Sequence, residues 1–175
     1  MNQVKTEQIL NVMRILSWVA FVGYMILAGS TLLSYGFSCL HPEGARNLYE
    51  GKDLYSLRMF NFWQYTLMVS LLVARAIMKA YAAYLVIQVL SKVSLANPFT
   101  MDVVKRLEHL SYVFLGIWVV GMVHNGHLAW INKLMGELPG DYISSESIFM
   151  AGMVFIISQI FKRGVEIQSE NDLTV

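Results

Sequence analysis

The chain has 175 residues, enough for one domain, and it is 56% hydrophobic but only 14% charged. Soluble domains are about 45–50% apolar and about 25% charged, so a soluble fold of this size could not bury so much apolar surface. The net charge of +1 gives no support for direct nucleic-acid binding, and the single cysteine, Cys39, excludes an internal disulfide and a multi-cysteine metal site. Composition therefore predicts an integral membrane protein embedded in the lipid bilayer.

Four apolar stretches follow one another along the chain, and each reaches the roughly 20 residues that a spanning helix needs. We predict spans at about 12–35, 60–92, 102–133 and 143–162, followed by a cytoplasmic tail at 163–175. The prolines at 42, 98 and 139 each fall in a gap between two stretches, so no proline interrupts the interior of a predicted helix. The sequence therefore predicts a single all-α domain over 1–175, an up-down bundle of four transmembrane helices.

Basic residues near the span ends predict the orientation. Seven lie on the side of the two termini and of the turn between the second and third spans, namely Lys5, Arg14, Lys92, Lys105, Arg106, Lys162 and Arg163. Four lie in the opposite loops, namely Arg46, Lys52, Arg58 and Lys133. This excess predicts that both termini are cytoplasmic.

The second stretch is longer than a bilayer requires. It runs to about Val93, roughly 50 Å at about 1.5 Å per residue, against a hydrocarbon core of about 30 Å. We therefore expect the second and third helices to extend into the cytoplasm as a hairpin tipped by residues 97–100. The tail should emerge beside this hairpin and bring three acids toward two cations, namely Glu166, Glu170 and Asp172 toward Lys105 and Arg106.

Two cations interrupt the second stretch. Arg75 and Lys79 are four residues apart and share one helix face, with Arg75 roughly in mid-membrane. No acid lies deep in any span, and the polar candidate partners are Tyr24, Tyr112, His124, Asn125 and Gln159. Two interpretations stay open: a structural pair that snorkels toward the headgroups, or a site that binds an anionic ligand or lipid through Arg75, Lys79 and His124.

No metal or cofactor site is predicted. His124 and His127 are three residues apart and could both face one ion, but two ligands alone are too few for a metal site, which needs three or four. His41 in the first outer loop could add a third, although no acidic or cysteine ligand is near in sequence. The sequence has no Ser-His-Asp pattern, phosphate loop or glycine-rich nucleotide motif, so we do not expect an enzyme.

Two stretches resemble a known family. These are Asn97-Pro98-Phe99-Thr100 with residues 104–107 after it, and the closing run at 161–175, whose Glu-Asn-Asp-Leu-Thr-Val end is the most specific part. They resemble a bacterial family of four-helix membrane proteins of unknown function, domain-of-unknown-function family twenty-nine seventy-five. The resemblance covers most of the chain and implies a multi-pass protein of the bacterial inner membrane. Family members are often encoded beside a small helix-turn-helix regulator, which implies a cytoplasmic transcription regulator as a partner.

These observations favour a non-enzymatic regulatory or scaffolding protein that binds a cytoplasmic partner, such as a helix-turn-helix regulator. The expected partner-binding residues are Asn97, Pro98, Phe99, Lys105, Arg106, Glu170, Asp172 and Val175. The alternative is a protein that binds a lipid or an anionic ligand, or a small transporter subunit, that uses Arg75 and Lys79. Four helices are few for a transporter, so this alternative requires a homo-oligomer.

Overall fold

The computed structural model describes residues 2–48, 53–93, 98–136 and 142–172. Five α-helices occupy most of them: α1 is Asn2–Leu40, α2 is Tyr55–Phe60, α3 is Phe62–Lys92, α4 is Met101–Met135 and α5 is Glu146–Asp172. A 3-10 helix, Pro42–Asn47, lies between α1 and α2, and the described part of the chain contains no strand. Four of the helices, α1, α3, α4 and α5, are long and apolar enough to cross a membrane. The prediction of an all-α protein with four spanning helices is confirmed.

The start of each central helix is set by a side-chain cap. The Asn61 side chain accepts hydrogen bonds from the backbone N–H groups of Trp63 and Gln64, at 2.9 and 3.2 Å, which separates α2 from α3. Thr100 accepts one from the N–H of Val103 at 3.4 Å and begins α4, with Asp102 in the electropositive first turn. These polar residues therefore position both helices.

The spanning helices pack as a row. In the described part of the chain, α1 packs on α3, α3 on α4 and α4 on α5, whereas α1 contacts neither α4 nor α5. Late residues of α1 contact early residues of α3, and the middle of α1 contacts the later part of α3. The Tyr35 hydroxyl lies 3.0 Å from that of Thr66, and the Phe21 and Tyr84 rings lie 6.1 Å apart. The helix ends at Leu40, Phe62 and Met135 form what we term the loop end, and those at Asn2, Lys92, Met101 and Asp172 form the terminal end.

Two buried clusters hold the row together. The larger lies at the loop end, where the 3-10 helix packs on α1 and α2, and α2 packs on α3. It contains Ala45, Leu48, Leu54, Leu57, Tyr65, Met68, Val69, Val73, Leu128 and Ile131. The smaller joins α3 to α4 farther toward the terminal end through Ala82, Leu85, Leu110, Val113 and Ile117. The described residues between α1 and α3 are largely helical and carry part of the main core.

The helices are longer than the predicted spans. The first begins at Asn2, not near residue 12, and the last continues through the expected tail to Asp172. Hydropathy locates the part of a helix that lies in hydrocarbon, whereas backbone hydrogen bonds continue into water wherever no residue breaks them. The tail is therefore a continuation of α5 at least as far as Asp172.

Candidate functional sites

Aromatic side chains mark two levels on α3 that match the thickness of a bilayer core. Trp63, which is 77% exposed, lies near the loop end. Tyr84 contacts Phe21, which in turn contacts the exposed Trp18, toward the terminal end. Trp63 and Tyr84 are roughly 32 Å apart at about 1.5 Å per residue, close to a core of about 30 Å. Arg75 and Lys79 both lie between these levels.

Arg75 is about 18 Å along α3 from Trp63 and about 13 Å from Tyr84, which places it near mid-membrane. Its side chain is partly buried, and its Nε atom is fully buried with no hydrogen-bond partner among the described residues. A buried, unpaired guanidinium N–H costs free energy in an apolar medium. The geometry therefore leaves a donor that a ligand could satisfy.

Lys79 lies one turn from Arg75 toward the terminal end and contacts α1. Its Nζ atom is 5.4 Å from the centre of the Tyr24 ring, within the range of a cation–π interaction. The buried alanines at 76 and 80 lie beside the two cations and let helices approach closely. Tyr24, one of the neutral partners expected from the sequence, is thus brought to this site.

His124, the third residue of the predicted ligand site, lies nearer the loop end. It is one turn before His127, whose Nε2 is 2.7 Å from the Gln64 side-chain oxygen near the start of α3. About three turns of α3 separate Gln64 from Arg75. His124 itself is 5% exposed and is one of the buried residues of α4. Among the described residues, no group of three His, Cys, Asp or Glu side chains could hold a metal ion.

Asn125 has a role that sequence reasoning did not assign. Its side-chain amide donates to the backbone oxygen of Ile143, and its side-chain oxygen accepts from the Ile143 N–H, both at 2.8 Å. The paired hydrogen bonds fix the chain just before α5 against α4. An asparagine inside an apolar span is the signal that could have indicated this contact.

At the terminal end, the turn before α4 packs on the second half of α5. The Phe99 and Phe161 rings meet edge to face, with centres 5.3 Å apart. A methyl group added at Gly164 would lie 2.6 Å from the Phe99 ring, so this contact needs glycine. Of the residues predicted to bind a partner, Pro98 and Phe99 are described and lie at the terminal end, whereas Asn97, Val175 and the Asp172 side chain lie outside the described residues.

The charged side chains at this end pair differently from the sequence expectation. Arg106 bonds Asp102, at 3.1 Å, and the Gln88 side-chain oxygen, which ties α4 to α3. On α5, Arg163 lies 2.8 Å from Glu166 and 4.0 Å from Glu170. Neighbours one turn apart on a helix meet without any tertiary rearrangement, so these acids pair along their own helix. The Gln159 amide reaches Glu108 at 3.3 Å and links α5 to α4 instead.

The comparisons with known proteins give a family and no activity. A family model described as "Protein of unknown function (DUF2975)" matches residues 10–175. No curated protein matches the chain, and no solved structure does.

Proposed function

We propose a function for this chain, which belongs to the DUF2975 family of proteins of unknown function: it is a non-enzymatic membrane protein that binds a soluble regulatory partner at its terminal end. The observation that carries the proposal is the contact of Phe99 with Phe161 and Gly164. This contact holds the turn before α4 against α5. The turn, the start of α4 and the second half of α5 therefore present one surface.

The lengths of the helices support a surface that stands clear of the bilayer. α3 continues about 12 Å beyond Tyr84, and α5 continues about 20 Å beyond Gln159, which is bonded to Glu108 near the same level, at about 1.5 Å per residue. These extensions carry the charged side chains that apolar spans exclude. A soluble protein could approach them without entering lipid.

The chemistry of this surface suits a protein partner. Phe99 is 37% exposed, and exposed charged residues lie on the neighbouring helices, among them Lys105 on α4 and Arg163 and Glu166 on α5. An aromatic anchor within a charged rim is typical of specific protein–protein interfaces. The basic excess on this side favours a cytoplasmic location. A small helix-turn-helix regulator, the partner that the family resemblance implies, is the partner that we propose.

Site-specific photo-crosslinking in living cells tests this function. A photoreactive residue replaces Lys105 at the terminal end of α4, and the matched control replaces Lys133 at the loop end of the same helix. We expect a soluble protein to be captured from position 105 and not from position 133, because only the first lies on the proposed surface. Capture of a helix-turn-helix protein supports the specific partner. Equal adducts from both positions, or none from position 105, would contradict the proposal.

A further inference from the structure

We propose that Arg75 and Lys79 of α3, with Tyr24 of α1, bind the phosphate of an anionic phospholipid inside the membrane. The site is separate from the terminal end and does not depend on the function proposed for it. Its starting point is the fully buried Nε of Arg75, which has no hydrogen-bond partner among the described residues. Among the described residues, Arg46, Arg106 and Arg163 each form an ion pair with an acid one helical turn away. Arg75 has no acidic residue within one turn of α3.

Burial along α3 shows that the two cations line a valley. The residues that recur every third or fourth position on their side are all buried or partly buried: Gln64, Met68, Leu72, Arg75, Lys79, Ala83, Val86 and Leu90. The residues on the opposite side are exposed: Trp63, Ser70, Ile77 and Tyr81. Because α1 and α4 flank α3 without touching each other, neither helix closes this valley at the level of the two cations, whereas at the loop end Met68 is buried in the larger core.

The valley combines an apolar lining with positive charge at its middle. The partly buried Leu72 lies on one side of the cation pair along the helix, and Val86 and Leu90 lie on the other. A small hydrophilic anion would gain nothing from the apolar walls, whereas an amphiphile matches both features through its head and its chain. A guanidinium can donate two parallel hydrogen bonds to a phosphate, and an ammonium adds a point charge. The chemistry therefore fits a phospholipid phosphate drawn inward to the level of Lys79.

The direction of the side chains argues against snorkelling toward the terminal end. Helical side chains lean toward the N-terminus of their helix, which for α3 is the Asn61 end. Arg75 is about 13 Å from Tyr84, farther than its side chain reaches, and the lean points it the other way. Lys79 lies over Tyr24 at its own level. The positive charges thus stay within the hydrocarbon layer, where a bound anion stabilises them.

Native mass spectrometry of the full chain tests this site. The chain is reconstituted in nanodiscs of phosphatidylcholine and phosphatidylglycerol. The bound lipid is then identified and quantified for wild type and for the double variant Arg75→Gln/Lys79→Gln. We expect wild type to retain phosphatidylglycerol over phosphatidylcholine. The variant should lose it by at least about tenfold, the effect of one lost charge-assisted hydrogen bond. The control variant Lys92→Gln/Lys133→Gln removes two cations near helix ends and should retain the lipid.

Equal retention by the site variant and wild type, or equal retention of both lipids by wild type, would overturn the proposal. Displacement of the bound lipid by inorganic phosphate would assign the site to a free oxyanion and overturn the lipid as its ligand. The glutamine variants should insert readily because they remove charge from the membrane interior. If they do not fold, Tyr24→Leu decides: it keeps both cations and should weaken retention, and unchanged retention would overturn the site.

Discussion

Two glycines on α5 differ in what surrounds them. A methyl group added at Gly164 would lie 2.6 Å from a carbon of the Phe99 ring, whereas one added at Gly152 would meet nothing within 4 Å. The missing side chain at 164 lets Phe99 lie directly on α5 and contact Phe161. Glycine at position 164 therefore decides how closely the turn before α4 approaches α5.

Gly164→Ala should destabilise the protein, and Gly152→Ala should not. Overpacking costs about 1–3 kcal/mol in well-packed sites, and the half-exposed Phe99 ring can move aside, so we expect about 1 kcal/mol. At the open position, alanine is the better helix former and should be neutral or slightly stabilising. Thermal unfolding in detergent measures both. In the Phe99→Ala background the cost of Gly164→Ala should largely disappear, and a cost that persists there would contradict the contact.

Asn125→Leu should destabilise the junction between α4 and α5. The change removes both hydrogen bonds to Ile143 and leaves a backbone donor and acceptor unpaired, at a cost of about 1–3 kcal/mol each at most. Asn11→Ala is the control, because its bond to Arg14 is exposed and should change stability by less than about 0.5 kcal/mol. Denaturant or thermal unfolding compares the two. Equal effects would show that the Ile143 clamp contributes nothing to stability.

The helices themselves were largely predictable, because apolar length is a strong signal in a membrane protein. Each of the four predicted spans overlaps one of α1, α3, α4 and α5 over most of its length. The extra turns of α1 and of α5 were not predictable from hydropathy, since polar residues can continue a helix into water. No rule of composition states where such a helix stops.

The loop end shows what the sequence does not reveal. The apolar residues at 48, 54 and 57 stand in a polar stretch without helical spacing, yet they form part of the larger core. Long-range polar contacts complete it: the Arg58 Nε donates to the Ser38 backbone oxygen at 2.8 Å, and the Ser38 and Tyr65 hydroxyls are 2.7 Å apart. Arg58 thereby satisfies a carbonyl in the last turn of α1. Such contacts depend on tertiary structure, which no local pattern encodes.

The candidate sites were predictable in composition but only partly in geometry. Intramembrane cations are rare enough that Arg75 and Lys79 are conspicuous in the sequence, and Tyr24 was among their expected neighbours. The level of His124 relative to them depends on how α3 and α4 align, which the His127–Gln64 contact fixes. The pairing of Arg163 with Glu166 shows that local helix geometry prevailed over the cross-helix ion pairs expected from charge alone.

Taken as a whole, the molecule is asymmetric along its long axis. At the loop end the chain closes within a compact cap formed by the 3-10 helix and α2. At the terminal end the helices continue well past the aromatic level of Trp18 and Tyr84, by about 24 Å for α1 and about 20 Å for α5 at about 1.5 Å per residue. The basic excess lies at the extended end, so one orientation places both the bulk and the positive charge in the cytoplasm.

The chain supplies its own probe for this orientation, because its single cysteine, Cys39, is exposed at the loop end. In intact bacterial cells we expect a membrane-impermeant maleimide to label Cys39 in the wild-type protein. The matched variant Cys39→Ser/Ser169→Cys moves the thiol to an exposed position on the extended part of α5 and should be labelled only after the cells are lysed. The opposite pattern would place the termini outside the cytoplasm. It would also remove the extended end from the reach of any cytoplasmic regulator.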